Sequence, residues 1–385
     1  MMTHRVARIM AWGCLVVLMA SCAGESRRPE LVVDADTLAA YAHLRETYMD
    51  GRPETRFFRA QGPHREGAKI VWEYELIVTE KYHPLADGTP YKVWAFGGQV
   101  SGPLLVAREG DWIRIRLVNE TTLSHTIHSH GLYVPQRMDG APHQHVGAQP
   151  VSSAMPHAPR PVEPGESFTY EYIARPAGTH FYHCHVNTNE HLSRGMSGPL
   201  IVLPRVPDPP VDHDVVLLLQ EWNSNYAKQG KPGQPRELYD ADFFTINGLS
   251  YPNTKSLHVN LGETVRMRFI NAGTQEHFMH LHGHSFLVTH KDGAPLREPI
   301  EMDTVPVGPG ERKDVIVKAN NPGDWPLHCH TPAHITNAGQ YPGGMMTHLV
   351  VGAEPYPQTG LGPLGPGIES ERKRWRLAAQ RAQDR

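Results

Sequence analysis

The chain has 385 residues, 39% of them hydrophobic, with 35 glycines, 34 prolines and a formal net charge of -3. That length leaves room for two or three domains, and the near-neutral balance gives no electrostatic reason to expect nucleic acid as a partner. Turn formers in such number fit a β protein better than a helical one, and 25 histidines against 10 phenylalanines are the anomaly of the composition.

Residues 1–22 join Arg5 and Arg8 to an apolar run from Ile9 to Ala20 that is short for a membrane span, the pattern of a secretory leader. The run ends in Leu18-Met19-Ala20-Ser21-Cys22, which resembles a bacterial lipobox; cleavage there removes Cys14 and leaves Cys22 as the lipidated first residue. The expectation is an exported protein of the cell envelope, periplasm or outer membrane, whose membrane contact is only the lipid on Cys22. Cys184 and Cys329 then remain, each between two histidines and neither needed for a disulfide. Residues 23–66 read as a polar tether and N-terminal extension with a short helix around Asp36 to Tyr48. Strand alternation starts at Lys69 to Thr79 and continues at Leu104 to Val106 and Trp112 to Val118, where IRIRLV has period two.

From Arg108 the chain starts to repeat itself. REGDWIRIRLVNETTLSHTIHSHG aligns without a gap to NLGETVRMRFINAGTQEHFMHLHG from Asn260, and PGESFTYEYIARPAGTHFYHCH from Pro164 aligns to PGERKDVIVKANNPGDWPLHCH from Pro309. The first copy carries a longer loop between Gly140 and Arg160. A repeat of this length is a duplicated domain rather than a solenoid unit. The predicted organisation is domain 1 over 67–204, a proline-rich linker over 205–214, domain 2 over 215–352 and a charged C-terminal tail over 353–385, either a surface helix or disordered. Short strands between Gly, Pro and Asn turns predict an all-β chain of two antiparallel Greek-key sandwiches.

Each copy holds H-x-x-H-x-H-G followed by HCH. On a strand, residues two apart share a face. His128 and His130 therefore project together while His125 faces the other way, toward Cys184; His280, His282, His277 and Cys329 repeat the arrangement. Two kinds of site follow. Inside each domain, His125, Cys184, His191 and Met196, and likewise His277, Cys329, His334 and Met345 in preference to Met346, make a thiolate, imidazole and weak thioether set suited to copper and one-electron transfer. Outside, His128, His130, His183 and His185 face His280, His282, His328 and His330, eight imidazoles able to hold three more copper ions.

With these four motifs in this order the chain resembles the multicopper oxidases of the laccase kind, and among them the small two-domain type with blue-copper ligands in both cupredoxin domains. The resemblance implies type 2 copper on His128 and His280 and a type 3 pair on His130, His183, His185, His282, His328 and His330. It also implies dioxygen and a small reducing substrate as partners, and a homotrimer whose clusters form between subunits. Asp139 is the candidate proton relay. Asp292 shares its D-G-A-P tetrad and reads equally as a turn residue, and Glu190 and Glu276, which precede blue-copper histidines, either tune them or are solvated. His143, His145, Met155 and His157 read as surface residues of the long loop rather than as further ligands. Two alternatives stand beside the oxidase. A copper nitrite reductase keeps only one histidine beside its cysteine, and a non-catalytic copper-binding lipoprotein would not need eight outward histidines.

Overall fold

Along Lys69–Pro84 the sequence WEYELIV alternates fully buried with half-buried positions, so one face of this strand enters a core. The same reasoning accounts for the strands around it in a computed structural model that describes residues 33–49, 56–142, 160–224, 240–352 and 368–383. His143, His145, Met155 and His157, and the leader with Cys14 and Cys22, lie outside the described residues.

The described strands form four sheets, two to each half of the chain. One sheet of the first half holds β1 (Phe58–Glu66), β2 (Lys69–Pro84), β3 (Pro90–Phe96), β5 (Trp112–Asn119) and β7 (Ser167–Ile173). The other holds β4 (Leu105–Arg108), β6 (His128–His130), β8 (Gly178–His183) and β9 (Ser197–Leu203). In the second half β10 (His213–Trp222), β11 (Phe243–Ile246), β13 (Thr264–Asn271), β15 (Phe286–Lys291), β16 (Ala294–Met302) and β18 (Arg312–Lys318) face β12 (Leu257–Val259), β14 (His277–Leu281), β17 (Thr304–Val307), β19 (Gly323–Cys329) and β20 (Met346–Val351). The sandwiches are mixed rather than antiparallel: β2 runs parallel to β5, β4 to β9, β10 to β13 and β12 to β20. Between β2 and β5 the chain crosses to the opposite sheet as β4 and returns, and such crossovers bring strands back parallel.

The first core joins Trp72, Tyr74, Ile115 and Tyr172 of one sheet to Tyr182, Cys184, Met196 and Leu200 of the other. The second joins Val265, Met267 and Phe269 to Met279, Leu327, Cys329 and Met345. Both cysteines thus sit between sheets, out of water. The predicted extension is more than a tether: β1 pairs antiparallel with β2. Helix α1 (Ala35–Met49) lays Leu44 and Tyr48 into a cluster with Val106 and Phe181 of the first sandwich and Val216, Leu218 and Ile270 of the second. Beside that seam Arg268 donates to Thr179 of β8 (2.7 Å) while held by Asp214 and Asp314. Helix α2 (Thr188–Ser193) carries His191, and the charged tail forms α3 (Ile368–Gln383), whose buried Trp375 packs on Leu287 and Ile316.

Candidate functional site

Strand alternation does most of the positioning. At the end of β8, Tyr182 and Cys184 point into the core while Phe181 and His183 point out of it, and His128 pairs with His183 across the β6–β8 ladder. In the second half His280 pairs with His328 in the same register.

Inside the first sandwich Cys184 Sγ lies 3.1 Å from His191 Nδ1 and 3.9 Å from His125 Nδ1, and the two Nδ1 atoms are 3.3 Å apart. Inside the second, Cys329 Sγ lies 3.4 Å from His334 Nδ1 and 4.0 Å from His277 Nδ1, with 3.1 Å between the nitrogens. In each group these donor atoms all lie within 4.8 Å of one another and are buried. Each sulfur also accepts a backbone N–H, from Thr126 or Phe278 at 3.4 Å, which favours its thiolate form. Two imidazole nitrogens and a thiol converging on one enclosed point fit a soft cation, and the donor set fits copper.

The methionines complete the pattern. The Met196 N–H donates to His191 O (3.1 Å), and its carbonyl accepts the Cys184 N–H (3.2 Å). Met345 does the same between His334 O (2.8 Å) and the Cys329 N–H (3.0 Å). Met346 instead pairs with His328, the place Ser197 takes opposite His183. Met345 is thus the counterpart of Met196, and both side chains are fully buried.

Outside, the rings of His128, His130, His183 and His185 stand 5.1–5.8 Å apart in contacting pairs. His280, His282, His328 and His330 repeat this at 5.0–5.9 Å. His183 and His328 each turn Nδ1 to the carbonyl of the neighbouring cysteine (2.9 Å), which leaves Nε2 to face the quartet. Among the described residues no ring contact joins the two quartets, and His282 and His330 are exposed.

The surroundings differ between copies. Burial pushes the Cys184 thiol up to about 11 and His125 and His191 down to about 3 and about 4. Burial opposes charge in the second copy too, but bonds from His277 and His334 outweigh it and bring Cys329 down to about 5. The bonds of His277 to Cys329 and Glu221 likewise overcome burial and raise it to about 9. His125 Nε2 meets the Thr121 hydroxyl at 2.7 Å, whereas His277 Nε2 faces Glu221 Oε2 at 3.4 Å.

Asp139 lies beside the first quartet: its carbonyl receives His128 Nδ1 at 2.7 Å, and its carboxylate is 3.3 Å away. Gly140 makes this approach possible, since at φ +72° a Cβ would stand 1.8 Å from the Ile127 carbonyl. Asp292 is not the counterpart. It occupies a turn at φ 53° and accepts the Arg312 N–H, while Asp303 receives His280 Nδ1 at 2.8 Å. A fainter echo, Met138-Asp139 against Met302-Asp303, marks the true pair. Glu190 is buried and accepts from Asn187, and Glu276 is exposed. Sequence reasoning also missed Trp94 and Phe244, which lie against His191 (4.7 Å) and His334 (4.1 Å). Neither belongs to a histidine motif.

Residues 77–207 and 223–354 each match a multicopper oxidase family model. Among solved structures the chain is 41% identical to the blue copper oxidase from Nitrosomonas europaea, covering 72% of this chain and 85% of that one with a TM-score of 0.65. It is 40% identical to the multicopper oxidase mgLAC, covering 78% and 94% with a TM-score of 0.67. Laccase-12 of Oryza sativa subsp. japonica is 27% identical over 289 residues, 70% of this chain and 47% of the laccase. The chain spans about half the length of the curated relatives it matches. Two tandem cupredoxin-like sandwiches, buried thiolate and imidazole groups of copper-binding type and these likenesses lead to one conclusion: the chain belongs to the multicopper oxidase family.

Proposed function

We propose that the protein takes single electrons from a small reductant (a phenol, an aromatic amine or a metal ion) and delivers them to dioxygen, which is reduced to water. Copper supplies the redox chemistry, as type 1 ions at the two thiolate groups and as type 2 and type 3 ions among the outward imidazoles. One observation carries the reading: in each half the cysteine of the inner group is peptide-bonded to two histidines of the outer quartet. Donor sites for electron uptake and for a multinuclear cluster thus share one strand end, and the peptide link is a short covalent route between them.

The inner groups exclude water through full burial of Cys184, Cys329, Met196 and Met345. His183 and His328 are held with Nε2 facing outward by their Nδ1 bonds. Asp139, partly open to solvent and 3.3 Å from His128, is proposed to move protons toward the cluster. Because no ring contact joins the two quartets among the described residues, we propose that a cluster of eight imidazoles is completed by a second copy, in a homotrimer. Export and a lipid on Cys22 belong to the same proposal.

The test is metal analysis with visible and electron paramagnetic resonance spectra, beside oxygen uptake with a phenol and with a cuprous salt. About five coppers per chain, with a type 2 signal and oxygen consumption, is the expected result. One or two coppers, no type 2 signal and no uptake would leave a copper-binding protein. Nitrite turnover in place of oxygen uptake would make it a nitrite reductase.

A further inference from the structure

We infer that the two thiolate sites are electronically unequal, with Glu221 holding the second-domain site at a lower reduction potential than the first-domain site. The inference rests on the proposed reading that both sites bind copper, and it concerns what lies behind each ligand rather than the ligands themselves.

The two copies place the same residue behind the same histidine and then use it differently. Val78 pairs with Asn119 as Leu219 pairs with Asn271, so two positions on Glu80 corresponds to Glu221. In the first domain Glu80 is drawn away: Oε2 pairs with Lys92 at 2.5 Å, and Oε1 accepts from Thr122. His125 Nε2 is left to the neutral hydroxyl of Thr121. In the second domain two substitutions release the carboxylate. Glu80 stands across from Trp94 as Glu221 does from Phe244, so Lys92 corresponds to Asp242, and that cation is gone. Thr121 corresponds to Gly273, where a Cβ would stand 1.9 Å from Glu221 Oε2. Only glycine leaves room for the carboxylate.

Glu221 is anchored rather than adrift. Its Oε1 accepts the Thr274 and Gln275 backbone N–H groups and the Thr274 hydroxyl, and its Oε2 faces His277 Nε2 at 3.4 Å. Oε2 and Nε2 are both enclosed, with no hydrogen-bond partner among the described residues beyond that pairing. A carboxylate on the far nitrogen of a ligating imidazole raises its basicity. A more basic ligand stabilises the cupric state over the cuprous, and burial keeps solvent from screening the charge. Gln275 adds a smaller push of the same sign, its Oε1 3.0 Å from His334 Nε2 where the first copy has Leu123. With a buried methionine in both sites, the difference falls on this outer layer. At equilibrium a single electron shared between the two sites resides on the first, and the second gives its electron up more readily.

The experiment is spectroelectrochemical titration of the thiolate-to-copper absorption in the copper-loaded protein, with Cys329→Ser isolating the first site and Cys184→Ser the second. We expect the second site to be at least tenfold harder to reduce, about 59 mV for one electron. In the Cys184→Ser background, Glu221→Gln should remove most of that gap. If Glu221→Gln does not fold, Glu221→Asp, which draws the carboxylate back from His277 Nε2, serves instead and should narrow the gap, whereas Gln275→Leu should leave most of it. Equal or reversed midpoints, a gap untouched by Glu221→Gln, or a gap abolished by Gln275→Leu would each overturn the inference. Absence of either absorption band would overturn it by removing one of the two copper sites. Both bands with a midpoint gap but no type 2 signal would sink the oxidase reading and leave this one standing.

Discussion

Asp214→Asn is the sharpest test of the buried ionic group of the second sandwich, beside its seam with the first. Asp214 accepts Nε and Nη2 of Arg266 at 3.0 and 2.6 Å and Nε and Nη2 of Arg268 at 2.7 and 2.9 Å. Burial works against this charge, but the two guanidinium groups more than compensate and hold the carboxyl well below the usual carboxylate range. Asparagine keeps the shape and removes the charge, leaving Arg268, only 3% exposed on its side chain, with Asp314 at 3.1 Å as its remaining ion-pair partner among the described residues. Breaking one partner out of a buried ionic group costs about 3–5 kcal/mol because the other charge is stranded. Against a total stability of roughly 5–15 kcal/mol that loss is large. Equilibrium urea unfolding should read it as a shifted midpoint, with Glu66→Gln, whose carboxylate pairs with Arg114 in contact with solvent, shifting the midpoint far less. The depressed folded-state pKa fixes the sign with pH: the contribution is complete above the unfolded value of about 3.9 and is lost as pH falls below it. A loss under about 1 kcal/mol for Asp214→Asn, or one equal to that of Glu66→Gln, would refute the stranded-charge argument.

Three further outcomes are expected. Gly140→Ala forces a Cβ against the Ile127 carbonyl and a left-handed φ costing about 1–2 kcal/mol, so it should weaken the type 2 signal while both thiolate bands persist; loss of the thiolate bands instead would show a wider collapse. In metal-free protein, thiolate absorbance should rise in a step near pH 5 that Cys329→Ser abolishes and Cys184→Ser leaves, because the Cys184 thiol stays protonated up to about 11. Trp375→Ala empties the contact of α3 with Leu287 and Ile316 and should cost about 3–5 kcal/mol, seen as early proteolysis of the C-terminal helix.

Whatever followed from period two and from the repeat was legible in the sequence. His125 and Cys184 turn inward and His128, His130 and His183 outward because strand geometry leaves no other arrangement. The choice of Met345 over Met346 became an argument only with the backbone bonds that make it the image of Met196. Asp292 misled because a shared D-G-A-P tetrad records common turn chemistry, whereas the aspartate whose carbonyl reaches His280 is Asp303, on the far side of a hairpin. The polarity of the extension points to a tether, yet β1 is held by ladder bonds that ignore side-chain character, and α1 buries a narrow apolar edge against the first core and the seam. Glu221 was invisible for a similar reason. It stands on β10, in the sheet opposite the one that holds His277, 56 residues earlier and at no motif spacing.

Duplication explains why the inner layer is alike in both halves while the outer layer is not. Sulfur and Nδ1 positions are fixed by strand register and by the bonds around Met196 and Met345, so a change there would break the site. Positions behind the ligands are free of that constraint, although Gly273 is fixed once Glu221 stands against it. Thr121 against Gly273 and Lys92 against Asp242 alter neither strand nor ligand, yet they decide whether a carboxylate or a hydroxyl stands behind the histidine. On the proposed reading, these different surroundings would set the two copper sites at different potentials, which is a physical reason for both ligand sets to persist.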